Sequence, residues 1–163
     1  MDELKDIYAE YGGMIHAFLM RLCGNPDLAD ELTQETFYQA LRSWKRYRGD
    51  AGISTWLCGI AKRLYWASLR KKTLVSAECA AEASAPDFTQ RLIENDRAMA
   101  AQRMLHALKE PYREVFTLRT FCELSHAQIG ELFGKSETWA RVTYYRARQK
   151  LADGMKEFDD DET

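Results

Sequence analysis

Proline occurs only three times in this 163-residue chain, and no stretch sustains the apolar–polar alternation of a half-buried strand. Four of the nine glycines, Gly24, Gly49, Gly52 and Gly134, fall at candidate turns. These shortages exclude a sheet-rich fold and favour an all-α protein. Cys23, Cys58, Cys79 and Cys122 have none of the short paired spacings of a zinc site or redox motif, and His16, His106 and His126 are equally scattered. Neither a metal nor a cofactor is expected. A nucleophile–base pairing and a glycine-rich phosphate loop are also missing, so the chain does not read as an enzyme. No apolar run nears the roughly 20 residues of a membrane span, and the acidic start lacks the features of a signal peptide. The expectation is a cytoplasmic protein with no direct membrane insertion.

What is present is a strong segregation of charge. The net charge of -2 would argue against a nucleic-acid partner, but it is an average over opposed blocks. Residues 1–40 carry two cations and eight anions, and residues 41–72 nine cations and one anion. Residues 135–152 add five cations against one anion, whereas residues 153–163 hold one cation and six anions. Such alternation suggests separate surfaces for nucleic acid and for another partner.

The stretch from Leu124 to Leu151 reads as two short helices broken by a turn. Ser125 and Gln128 form a capping box ahead of apolar Ile129, Leu132 and Phe133, and Gly134 ends the helix. Ser136 is placed to cap the next helix, in which Ala140, Tyr144, Ala147 and Leu151 form one buried stripe. Arg141, Tyr145, Arg146 and Arg148 lie mostly off it. One packed face with cations and aromatics elsewhere suits insertion into a DNA major groove, where arginine grips guanine through two hydrogen bonds. A solvated basic helix is the simpler alternative.

Upstream, periodicity predicts a helix over 4–23, a turn at Gly24-Asn25-Pro26, and a second helix over 27–47 with Leu28, Leu32, Phe37, Ala40, Leu41 and Trp44 on its apolar side. Asp30, Glu31, Gln34 and Glu35 crowd its exposed face. After a short loop, Ser54 is placed to cap a helix whose core stripe is Leu57, Ile60, Ala61, Leu64 and Ser68. Along this helix Trp56, Tyr65 and Trp66 are interleaved with Lys62, Arg63, Arg70, Lys71 and Lys72. Flat rings for unpaired bases beside cations for phosphates are the chemistry of single-strand binding, although core aromatics beside a charge run would give the same pattern. Residues 73–95 are small and acidic with little apolar periodicity, which predicts a flexible linker. Two further helices lead into the helix-turn-helix, and the end of the chain predicts a frayed acidic tail.

Taken together, two helical domains, one with a double-strand reader and one suited to melted DNA, resemble a bacterial RNA polymerase sigma factor of the extracytoplasmic-function group, which retains only the second and fourth conserved regions. The likeness rests on Ala29 to Phe37 (ADELTQETF), on Tyr47-Arg48-Gly49 through Trp56-Leu57 with Ile60-Ala61 and Leu69-Arg70, and on Leu124-Ser125 through Arg146-Ala147-Arg148. It implies a region 2-like domain over 1–72, a linker over 73–95, a region 4-like domain over 96–155 and an acidic tail over 156–163.

The resemblance further implies a factor that binds core RNA polymerase and directs promoter-specific initiation. Asp30, Glu31, Gln34 and Glu35 match the family's contact with the clamp coiled coil of the largest subunit, and the flap is a second polymerase contact. Trp56, Lys62, Arg63, Trp66 and Arg70 match the part that opens and holds the minus-10 element. Thr138, Arg141, Val142, Tyr145 and Arg146 fall at minus-35 contacts, with Arg148 on a phosphate. An anti-sigma factor, often membrane-anchored in the family, is the expected regulator. Arg63 stands where relatives often have asparagine, Ala67 where aspartate is common, Trp139 in place of a small threonine and Thr143 in place of an arginine. A helix-turn-helix regulator that is not a polymerase subunit is the alternative, and it leaves the constellation from Trp56 to Lys72 and the face from Asp30 to Glu35 without a role.

Overall fold

A computed structural model describes residues 2–49, 51–76 and 96–161. Among them every regular element is helical: α1 (Asp2–Cys23), α2 (Pro26–Ser43), a 3-10 turn (Trp44–Arg46), α3 (Ile53–Ser76), α4 (Asp96–Ala107), α5 (Tyr112–Thr120), α6 (His126–Phe133) and α7 (Glu137–Asp161). They divide into two compact units, with α1 to α3 in the first and α4 to α7 in the second.

In the first unit three helices pack on one another. Ile15, Phe18, Leu19 and Leu22 of α1 meet Leu57, Ile60 and Ala61 of α3 in a core that water hardly reaches. Each large side chain buried this way stabilises the fold by about 1.5–3 kcal/mol relative to exposure. Tyr65 is also buried, and its hydroxyl donates to the Leu22 carbonyl at 3.1 Å, tying α3 to the end of α1. Of the aromatics interleaved with the cations, Tyr65 is therefore core.

The start of α2 follows from its sequence. Gly24 takes a left-handed conformation (φ 64°), and the Asn25 side chain accepts from the amides of Asp27 and Leu28 at 3.0 and 3.2 Å, with Pro26 at the first helical position. The inner face of α2 includes Thr33 and Thr36, whose hydroxyls donate to the carbonyls of Ala29 and Leu32 four residues back. That internal pairing lets a polar residue sit in a core.

Several boundaries differ from the sequence reading. Helix α2 ends at Ser43, and the 3-10 turn replaces its expected last turn. Leu41, placed on the apolar side, is 46% exposed. Helix α3 begins at Ile53, so Ser54 falls inside its first turn and is no cap. It also runs to Ser76, past the expected start of the linker at 73, and Thr73 donates to the Leu69 carbonyl within it. The rest of the expected linker, 77–95, lies outside the described residues. The acidic end is helical through Asp161, with Asp159 accepting a 2.6 Å bond from Arg97 of α4. Phe121 follows the end of α5 and is 39% exposed, while Glu114 and Thr117 within it are buried.

In the second unit α7 packs against α4, α5 and α6. Val115 and Leu118 of α5, Leu124, and Ile129 of α6 form its centre, closed by Ala140 and Ala147 of α7.

Candidate nucleic-acid interface

The helix-turn-helix is built by local chemistry that its sequence specifies. Ser125 Oγ accepts from the Gln128 amide at 3.1 Å while Gln128 Oε1 accepts from the Ser125 amide at 2.8 Å, so both halves of the capping box are formed. Gly134 closes α6 in a left-handed conformation (φ 64°), and the Lys135 amide donates to the Gly130 carbonyl at 2.8 Å. The turn then lies so close to α6 that a β-carbon on Gly130 would stand 2.7 Å from the Ser136 carbonyl oxygen. Ser136 Oγ caps α7 by accepting from the Trp139 amide at 3.0 Å.

Burial sets the orientation of α7. Ala140, Thr143 and Ala147 are buried, with Tyr144 and Leu151 half-buried beside them, so the inner stripe is rotated to take in Thr143. Tyr144 stacks on Phe116 of α5 at 5.8 Å, and Trp139 packs on Phe133 of α6 at 5.2 Å. The outer face carries Thr138, Val142, Tyr145 and Gln149, which step by four, three and four residues and are all exposed. Arg141 and Arg146 are exposed along its borders, and Arg141 is held by Glu137 at 3.0 Å. The structure thus brings Thr138, Arg141, Val142, Tyr145 and Arg146 onto one outward surface. Arg148 is exposed too, but it borders an apolar groove formed by Phe116, Tyr144, Leu151 and Met155. Gln149 was missed in the sequence reading, although its spacing from Tyr145 carries the signal.

Behind this surface, at the start of α6, sits His126, tilted against the Tyr144 ring at 5.8 Å. Burial, and then the guanidinium groups of Arg119 and Arg141, lower its pKa below the usual histidine value, while Glu137 opposes them.

On the first unit, Arg63, Ala67 and Arg70 form one exposed ridge of α3, stepping by four and three residues. Lys62 and Trp66 flank it half-buried, with the Trp66 ring edge-on to Tyr65 at 5.7 Å. Trp56 is placed differently from the other four. Its ring lies 4.6 Å from Tyr47 and 6.0 Å from Trp44, which themselves stack at 5.7 Å. It is half-buried in an aromatic trio that shapes the loop between α2 and α3, and the Tyr47 hydroxyl fastens that loop by donating to the Ala51 carbonyl. Exposed Lys45, Arg46 and Arg48 surround the trio's loop.

The anionic face of α2 is a third surface. Asp30, Glu31, Gln34 and Glu35 are all exposed, Asp30 pairs with His16 Nε2 of α1 at 2.8 Å, and Glu35 accepts from Gln39 at 3.3 Å. The same face continues through two exposed apolar residues, Tyr38, which the sequence reading does not single out, and Leu41, which it places on the inner side. Tyr38 is 54% exposed and Leu41 46%, and the Arg42 guanidinium lies 5.9 Å from the Tyr38 ring centre. Among the described residues no cluster of three or more histidine, cysteine, aspartate or glutamate side chains is arranged to hold a metal ion, and no helix is long and apolar enough to cross a membrane.

Residues 7–74 match the family model of sigma-70 region 2, and residues 98–151 that of sigma-70 region 4. The RNA polymerase sigma factor YlaC of Bacillus subtilis is 29% identical over 160 residues, covering 94% of this chain and 92% of its own length. The ECF RNA polymerase sigma factor SigW of Bacillus subtilis is 25% identical, covering 96% and 90%. Among solved structures, the sigma factor RpoE in complex with the anti-sigma factor NepR from Bartonella quintana shares the fold with a TM-score of 0.79 at 17% identity, over 96% of this chain and 98% of that one. With the region 2 match falling on the unit that carries the α3 ridge, and the region 4 match on the unit that carries the helix-turn-helix, the chain belongs to the sigma-70 family of RNA polymerase sigma factors, in its extracytoplasmic-function group.

Proposed function

We propose that this chain binds core RNA polymerase and directs it to promoters by a two-point grip, with α7 reading the minus-35 duplex and the α3 ridge holding the opened minus-10 strand. One observation carries the reading: two separately folded units each expose a cationic helix face, and they match the two DNA-reading regions of one family. In the second unit Arg141, Val142, Tyr145, Arg146 and Thr138 meet base edges and backbone in the major groove, and Arg148 meets a phosphate. In the first, Arg63 and Arg70 hold the strand with Lys62 and Trp66 beside them, while Trp56 supports the adjoining loop. Arginine offers only donors, so Arg63 grips phosphate or the acceptor edge of a guanine.

The face of α2 docks on the polymerase. Asp30, Glu31, Gln34 and Glu35 supply charge for the clamp coiled coil, and Tyr38 and Leu41 supply the apolar contact that an anionic patch alone lacks. The second unit meets the flap. The factor makes and breaks no covalent bond, and it works in the cytoplasm with the polymerase. An anti-sigma factor regulates it, as a complex with such a partner is the form in which the Bartonella relative was solved. Run-off transcription with bacterial core polymerase and a promoter library tests the function. Promoter-dependent transcripts that vanish without this chain are the expected result, whereas DNA binding with no transcript would overturn it.

A further inference from the structure

Gln149 lies one turn beyond Tyr145 at the end of the exposed strip of α7, and its Nε2 donates to the Tyr145 hydroxyl oxygen at 3.1 Å. Tyr145 is the most exposed large apolar side chain of that strip, at 60%. A phenol oxygen can accept a hydrogen bond and has one hydrogen of its own to donate. With the amide filling the accepting side from along the helix, the hydroxyl hydrogen is directed away from Gln149. The amide also anchors the far end of a ring that would otherwise swing about its first two side-chain torsions.

We propose that Gln149 is a positioning residue that fixes the Tyr145 hydroxyl as a donor, so that the group Tyr145 meets on the promoter duplex is a hydrogen-bond acceptor. Such groups are the guanine O6 and N7 edge and the thymine O4. The inference rests on α7 entering the duplex. In the groove, where water is displaced, a phenol left to rotate would lose its directed bond, whereas one held by the amide keeps it. Glu137 and Arg141, paired at 3.0 Å with the same four-residue spacing, hold a second contact residue of this helix in place in the same manner.

The test is a double-mutant cycle on promoter affinity, measured with holoenzyme reconstituted from core polymerase and full-length chain. The variants are Gln149→Leu, Tyr145→Phe and the pair, each checked for unchanged thermal unfolding. Gln149→Leu is expected to weaken binding about 3- to 10-fold beside Tyr145 and to change nothing beside Phe at 145. The base-preference profile of Gln149→Leu is expected to relax at the same promoter position as that of Tyr145→Phe. An equal loss in both backgrounds would overturn the proposal by showing that Gln149 acts on its own, and so would no loss in either. Should the wild-type holoenzyme select no promoter at all, the functional reading fails together with it, and that control separates the two failures.

Discussion

The indole of Trp139 lies 5.2 Å from the ring of Phe133, tilted by 45°, and so braces the first helix of the helix-turn-helix against the second across their turn. A small residue at position 139 could not span that gap. Such ring pairs contribute about 0.5–1.5 kcal/mol beyond the area they bury. Trp139→Ala should therefore destabilise the second unit by roughly 1–3 kcal/mol, with Trp139→Phe recovering most of the loss. Amide hydrogen exchange across α6 and α7 reads this directly, and unchanged protection in the alanine variant would contradict it.

The close approach of Gly130 to the turn gives a second prediction. Its neighbours there are backbone atoms, the carbonyl oxygens of Lys135 and Ser136 at 2.8 and 2.7 Å from a built β-carbon, which cannot swing aside as a side chain would. Gly130→Ala should cost about 2 kcal/mol or more through overpacking, although alanine is the better helix former. Gly13→Ala in α1 is the control, because nothing lies within 4 Å of its β-carbon position, and there the same change should stabilise by up to about 1 kcal/mol. Circular dichroism melting of the two variants should show shifts of opposite sign.

His126 supplies a pH dependence whose sign is fixed by its surroundings. Burial and the nearby Arg119 and Arg141 depress its native pKa, so the unfolded chain takes up the proton first. Its contribution to stability is thus full above the ordinary histidine value of about 6.5 and is lost as the pH falls below it toward the lower native value. Resistance of the second unit to urea should fall as the pH is lowered from neutrality through this interval, and His126→Gln should flatten that slope. An identical slope in both proteins would assign it to other groups.

On α2 the apolar and charged residues of the docking face should separate in kinetics. Tyr38→Ala and Leu41→Ala should each weaken core polymerase binding by about tenfold, mainly through faster dissociation, because truncating exposed anchors removes buried contact. Glu35→Gln should chiefly slow association and reduce its salt dependence. Surface-immobilised polymerase with stopped-flow controls would distinguish these, and equal effects on both rates for all three variants would contradict the assignment.

Much of this was legible in the sequence because it depends on local chemistry. The capping box of Ser125 and Gln128, the stop at Gly134 and the cap at Ser136 are decided within a few residues, and all form as the sequence predicts. What the sequence obscured depends on partners far along the chain. Trp56 reads as an isolated ring until Trp44 and Tyr47 are seen to pack beside it, and Tyr65 reads as a stacking surface until its hydroxyl is found on Leu22. Thr33, Thr36 and Thr143 look solvated by residue type and are buried, the first two because each satisfies its hydroxyl within its own helix. Leu41 looks like core and is exposed, because α1 and α3 cover the other face of α2. The acidic end, expected to fray, is continuous with α7 and anchored through Asp159 to Arg97.

The central claim is that the two units read two promoter elements independently. It is tested by selecting promoters from a library randomised at both elements with holoenzymes carrying the wild-type chain, Arg141→Ala or Arg63→Asn. The account predicts that Arg141→Ala relaxes one position of the upstream element alone and that Arg63→Asn changes the downstream preference alone. Selected promoters in which either substitution shifts both elements, or neither, would contradict it.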